Sequence, residues 1–227
     1  MASANGPTKI MVIRHAEKPG TYNGMSYNGV NATASTCGSG GSEDLTTIGW
    51  QRAGGLVTLF APPYGPKPGL ATPTFLYAAD PQKGEKSGAS SSSTAPKESS
   101  QRPYETISPL AAALGQAGTP IKIHTKFSKN HYSDMVTDAL TRSGVVLICW
   151  QHEDIPLLND EKQPGISQCI LTQTGTTIKF PVPQSWPKDR YDLVFVFDRP
   201  SGTGAITGFQ VVPQFLLAGD GPYTAAG

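Results

Sequence analysis

The sequence predicts an α/β fold. It reads as a single-domain three-layer sandwich over residues 1–227, with a mainly parallel central sheet, helices on both faces and an antiparallel C-terminal extension. Three observations carry this. Short apolar runs alternate with segments of helical period over the first two thirds of the chain. Two of the runs, "KIMVI" at 9–13 and "VVLICW" at 145–150, are continuously apolar, as in strands covered on both faces. Two later runs, "YDLVFVFD" at 191–198 and "GAITGFQVVP" at 204–213, flank the turn-like "RPSGT", as in an antiparallel pair that extends or covers one sheet edge.

The remaining elements follow in order. Residues 19–44 are dense in Gly, Asn and Ser and read as a long loop. In "LTTIGWQRAGGLVTLF" (45–60), Ala53, Leu56, Val57 and Phe60 fall on one helical face, with Thr46 or Thr47 as the cap. "PPYGPKPG" ends that helix, and "TFLYAA" (74–79) is the second strand. Residues 80–100 form a serine-rich, low-complexity stretch that cannot bury apolar surface, hence a flexible insertion. A helix resumes at 101–115, with Pro103 in its first turn and Pro109 expected to kink or divide it. "PIKIHTKF" (120–127) is a third strand candidate, and "SDMVTDALTRSG" (133–144) a helix closed by Gly144. "TTIKFPV" (176–182) is a further apolar segment of the tail.

Bulk properties narrow the function. A net charge of +1 gives no global field to draw nucleic acid or an anionic membrane, so anion specificity must be local. With 37% hydrophobic residues and no apolar stretch near the ~20 that span a bilayer, a membrane protein is not expected. "MASANGPTK" has no basic region and no apolar segment, so it is not a signal peptide. The default is therefore a cytoplasmic chain, although a secreted protein lacking its leader would look the same. Cys37, Cys149 and Cys169 show no metal-ligand spacing and no disulfide framework; Cys149, inside an apolar run, reads as a buried inert thiol. His15, His124, His131 and His152 form no zinc pattern.

In a doubly wound sheet, ligands sit beyond the carboxyl ends of the strands. Two strands deliver a histidine there: "KIMVI" runs into Arg14-His15, and "VVLICW" into Gln151-His152. Arg102 opens the helix after the second strand. If these converge, two imidazoles and two guanidiniums form a positive cup. Arginine forks match phosphate oxygens, a neutral imidazole attacks phosphorus, and the same charges stabilise the transition state. Such a cup can supply the charge that a magnesium ion supplies elsewhere. Lys18 adds charge to that cup or is simply solvated. His124 and His131 read as structural or exposed, with His131-Tyr132 a conceivable substrate contact, and Trp50, Trp150 and Trp186 read as core.

"IMVIRHAEKPG" resembles the first motif of the histidine phosphatase superfamily, which includes acid phosphatases, phytases and cofactor-dependent phosphoglycerate mutases. "LTTIGWQRAGGL", "SQRPYETISPLAAALG" and "VVLICWQHEDIP" resemble, in order, the following helix, the segment of the second arginine and the strand of the second histidine. "WPKDRYDLVFVFD" and "PQFLLAGD" resemble the tail of small members whose first motif reads "RHAEKP". The resemblance implies a metal-independent phosphatase without cofactor. It makes His15 the phosphate-accepting nucleophile, Arg14 and Arg102 the phosphoryl ligands, and His152 the second histidine. The acid-phosphatase branch places its proton donor directly after that histidine as an aspartate. Here the position is Glu153, one methylene longer, with Asp154 beside it; the bland alternative is a surface acidic pair. The expected partner is a small phosphorylated substrate or a phosphoprotein, with neither nucleic acid nor membrane. A phosphomutase, or a weakly catalytic phosphate-binding member, is the competing expectation. Neither the substrate nor the oligomeric state can be read from the sequence.

Overall fold

The computed structural model describes residues 5–22, 24–31, 38–39, 41–81, 100–115, 120–177 and 179–224. Strand β1 (Pro7–Arg14) is followed by two short pairs, β2 (Gly20–Tyr22) with β3 (Met25–Tyr27), and β4 (Val30–Asn31) with β5 (Gly38–Ser39). The stretch expected to be loop thus contains hairpins, too short and polar to show an alternating pattern. Helix α1 (Thr47–Phe60), strand β6 (Phe75–Ala78), helix α2 (Arg102–Leu114) and strand β7 (Ile123–His124) come next. Helix α3 (Tyr132–Ala139), strand β8 (Gly144–Trp150), helix α4 (Ile166–Gln173), and strands β9 (Leu193–Asp198) and β10 (Gly208–Pro213) complete the chain.

The main sheet has the order β10-β9-β1-β8-β6-β7. β1, β8, β6 and β7 run parallel, while β9 and β10 form an antiparallel edge against β1. From β1 the chain moves outward to β6 and β7, with α1 and α2 on one face. It then turns back to insert β8 between β1 and β6, and α3 and α4 lie on the other face. Right-handed crossovers require that change of face when the direction of travel reverses. Along β1, Ile10 and Val12 join the core under α3 and α4, while Met11 and Ile13 join the one under α1 and α2. The continuous apolar run is this double burial.

Several local expectations hold for visible reasons. Thr46 caps α1, its hydroxyl accepting the Gly49 N–H at 3.1 Å. Gly49 itself is required, because a Cβ there would meet the Glu17 carbonyl oxygen at 2.6 Å. Others are corrected. α2 is not divided at Pro109: the Glu105 carbonyl that proline cannot bond receives the Ser108 hydroxyl at 3.0 Å instead. Gly144 does not close α3, which ends at Ala139; it opens β8 at φ 90°. Only Ile123–His124 of the third strand candidate pairs, and α4, which carried no sequence assignment, is a helix. Cys37 and residues 82–99, the bulk of the serine-rich stretch, lie outside the described residues. Cys149 is buried and its thiol pushed up by desolvation, in keeping with an inert core group.

The C-terminal segment is fastened to the front of β1 by a buried ion cluster. The Arg52 guanidinium on α1 pairs with Glu17 Oε1 at 2.7 Å and Asp220 Oδ1 at 2.8 Å, and bonds Gln214 Oε1 at 3.1 Å. Burial alone would lower the Arg52 pKa, but the two carboxylates raise it, so it stays charged. Replacing Arg52 by Met would strand two buried carboxylates. That substitution is expected to lower unfolding stability by about 3–5 kcal/mol, read from urea titrations. A change below about 1 kcal/mol would mean that the cluster opens to water at little cost.

Candidate active site

Arg14 ends β1 opposite Trp150, the last residue of β8, and His15 donates its backbone N–H to the Trp150 carbonyl at 2.9 Å. The two histidine-bearing turns therefore leave adjacent parallel strands at the same rim. A 3₁₀ turn at His152–Asp154 presents the second of them. Helix α2 is tied to the first by Thr106, whose hydroxyl accepts the Ala16 N–H at 2.8 Å and donates to the Arg102 carbonyl at 2.7 Å. Arg102, at the start of α2, thereby comes to the same rim.

His15 is 4% exposed. Its Nδ1 lies 2.7 Å from the Ala16 carbonyl, which can only accept, so Nδ1 carries the proton and Nε2 keeps a free lone pair. Desolvation, then the charges of Arg14 and Arg102, hold its pKa well below 6.5. The imidazole is therefore neutral and tautomer-fixed, with Nε2 unprotonated.

Arg14 is 1% exposed. Its Nη1 donates to the carbonyls of Lys188 at 2.7 Å and Arg190 at 3.1 Å, and its guanidinium carbon sits 3.7 Å from the Tyr191 ring centroid. Burial lowers its pKa. Arg102 donates Nη1 to the Ser42 carbonyl at 2.9 Å, with Nη2 3.3 Å from Glu43 Oε2. Among the described residues, four buried side-chain polar atoms have no aligned hydrogen-bond partner: Nε of Arg14, Nε of Arg102, Nδ1 of His152 and Oγ of Ser100. Three belong to residues the sequence singled out, and the fourth is two positions from Arg102. Native interiors pair nearly all such atoms, so their concentration here is unusual.

Glu153 Oε2 is 2.7 Å from His152 Nδ1, close but out of line for a hydrogen bond. Burial would raise the Glu153 carboxyl, but contact with His152, its own backbone N–H and the nearby His15 bring it down to about 2. Asp154 is opposite in character. Burial pushes it up to about 6, Glu153 adds to the rise, and Gln151 Nε2 bonds it at 2.5 Å. Lys18 is exposed; its carbonyl accepts the Tyr22 hydroxyl. Behind Arg102, burial pushes Glu105 up to about 7 despite a bond from the Leu45 N–H, and the neighbouring Asp44 carboxylate adds to the rise.

The structure thus brings Arg14, His15, Arg102, His152 and Glu153 together and leaves Lys18 outside the buried set. His124 stacks on Tyr77 at 4.9 Å, away from this rim. Trp150 and Trp186 are core, and Trp50 packs partly buried against the small cluster of Ala16, Leu45 and Ala53. The sequence reading missed Tyr191 and Arg52, whose only signal was their place in the tail and helix motifs. Compared with family models and with curated protein sequences, the chain matches none.

A buried neutral imidazole has a stability signature. Below pH 6.5 the unfolded chain protonates this histidine and the folded chain does not, so the unfolded state binds more protons. The contribution is neutral above pH 6.5 and becomes a penalty as pH falls toward the depressed folded value. Imidazole ¹⁵N spectra should show His15 as the Nδ1–H tautomer at pH 6, and His15→Gln should flatten part of the acid-side loss of stability. An imidazolium signal for His15 at pH 6 would contradict the geometry.

Proposed function

We propose that this protein is a metal-independent phosphomonoesterase that acts through a phosphohistidine at His15. The observation that carries the reading is the pair of buried guanidinium N–H groups without a partner, on Arg14 and Arg102, whose charges act on a neutral imidazole with a free Nε2. A tetrahedral oxyanion would pair those donors, and phosphorus at its centre would meet the lone pair. The resemblance of the ordered motifs to the histidine phosphatase superfamily supports the same reading. A small phosphorylated substrate or a phosphoprotein is the partner class.

The steps follow from the side chains. His15 Nε2 forms a bond to phosphorus as the ester P–O bond breaks, and Arg14, Arg102 and His152 stabilise the equatorial oxygens. The leaving oxygen takes a proton from a carboxylic acid, for which Glu153 is the candidate. Water then attacks phosphorus, the N–P bond breaks, and the proton from water returns to the carboxylate. A neutral His15 and inorganic phosphate remain. His15→Ala should therefore abolish both hydrolysis of p-nitrophenyl phosphate and acid-labile ³²P labelling while the circular dichroism spectrum stays native. Near-native turnover in that variant would end the phosphohistidine reading.

The depressed pKa of Glu153 favours a second reading, a weakly catalytic phosphate-binding protein, because a carboxylate held ionised donates no proton. A bound phosphoryl dianion repels that carboxylate and raises its pKa, which is how Glu153 would act as an acid. Glu153→Gln separates the two. An acid role predicts a loss of about 10²–10⁴-fold on alkyl phosphates and far less on aryl phosphates, whose phenolates depart unprotonated. An equal loss on both classes would assign Glu153 to holding His152.

A further inference from the structure

The tail motif "WPKDRYD" has no part in the chemistry above, yet among the described residues it makes the hydrogen bonds and the ring contact that hold the Arg14 guanidinium. Lys188 and Arg190 offer their carbonyls to Nη1, and Tyr191 lays its ring under the guanidinium plane. The segment is itself braced. The Trp186 indole N–H donates to the Arg190 carbonyl at 2.7 Å, and the Arg190 side chain pairs with Asp192 at 2.7 Å. Tyr22 spends its hydroxyl proton on the Lys18 carbonyl, so in the 3.2 Å contact between the two hydroxyls Tyr191 donates to Tyr22.

We propose that Tyr191 is a positioning residue that aims Arg14 at the phosphoryl site. The logic lies in which edge of the fork is consumed. Both carbonyls take Nη1, on one side of the guanidinium. The opposite edge carries Nε and Nη2, and Nε is buried without a partner. Two carbonyls and a ring face fix the plane, and neither cancels the charge. The charge therefore stays available to an anion at the Nε edge; it acts on His15, whose ring centroid is 6.2 Å from that of Tyr191. This inference rests on the reading of the rim as a phosphoryl site, but its probe does not require turnover.

The test measures inorganic phosphate affinity by calorimetry for five proteins: wild type, Tyr191→Phe, Tyr191→Leu, Arg14→Ala, and Tyr191→Leu combined with Arg14→Ala. A desolvated arginine–ring contact is worth about 10–30-fold in affinity. Tyr191→Leu should weaken phosphate binding by that factor. Tyr191→Phe, which keeps the ring and loses only the hydroxyl, should bind within about 3-fold of wild type. In the Arg14→Ala background the leucine substitution should add nothing, because the ring would have no guanidinium left to orient. An equal loss in both backgrounds would make Tyr191 a general packing residue and overturn the proposal, as would unchanged binding in Tyr191→Leu. If Tyr191→Leu fails to fold, the comparison rests on Tyr191→Phe and Tyr191→Trp: retained affinity in both supports the ring-face role, and a loss in Tyr191→Phe alone overturns it. Acid-labile ³²P labelling is scored separately. Coupled phosphate binding without a phosphoenzyme keeps this inference and sinks the phosphatase reading; a phosphoenzyme whose phosphate affinity ignores residue 191 does the reverse. Absence of phosphate binding in the wild type overturns both.

Discussion

A guanidinium buried at the end of the central strand is the constraint on which this rim depends. Taking a full charge out of water costs several kcal/mol even after relaxation, and the chain meets that cost in two different ways at two buried arginines. Arg52 receives two carboxylates, Glu17 and Asp220, and is neutralised in place. Arg14 receives two carbonyl dipoles and an aromatic face. Dipoles and quadrupoles stabilise a cation without cancelling it, so the field of Arg14 survives and reaches its surroundings. It is felt at His15, whose protonation it opposes. The contrast separates a structural arginine from one with charge to spare, a distinction invisible in residue type.

Two neighbouring carboxylates diverge at the same rim. Glu153 and Asp154 are adjacent in sequence, yet one is drawn down to about 2 and the other pushed up to about 6. The difference follows from what each faces. Glu153 looks toward two imidazoles at the rim, whereas burial dominates at Asp154, which Gln151 binds.

The fold was readable because its strongest signals are local. Continuous apolar runs marked β1, β6 and β8, and a threonine before an amphipathic segment marked the start of α1. The misreadings came where a distant or side-chain partner decided the outcome. Pro109 has the residue type of a helix breaker, but Ser108 supplies the missing donor, and that compensation is a matter of rotamer and not of pattern. Gly144 has the residue type of a helix stop, but its left-handed backbone opens β8 against Thr74, where a Cβ would lie 2.7 Å from the hydroxyl. Helix α4 spans only 8 residues and mixes Gln, Ser and Thr with its apolar positions, so its periodicity was too short to stand out. The site residues on β1, α2 and β8 were visible because each follows a recognisable element. The divergent roles of Glu153 and Asp154 were not, because they depend on what packs around them.

The support for Arg14 lay beyond sequence reading for a further reason. Its acceptors, Lys188 and Arg190, contribute through backbone carbonyls, which every residue has. The side chains at those positions are free of that duty, and Arg190 uses its own on Asp192. They sit 174 and 176 residues from the strand they serve, so no local spacing links them. Only the ring at Tyr191 leaves a mark in the amino-acid type. What must be kept is the course of the backbone between Trp186 and Asp192, and that course is set by the indole N–H on the Arg190 carbonyl, the Arg190–Asp192 pair and the pairing of β9 against β1. The antiparallel extension therefore does more than cover a sheet edge. By adding β9 beside β1 it delivers the segment before β9 to the carboxyl end of β1, where the charge of Arg14 has to be held without being spent.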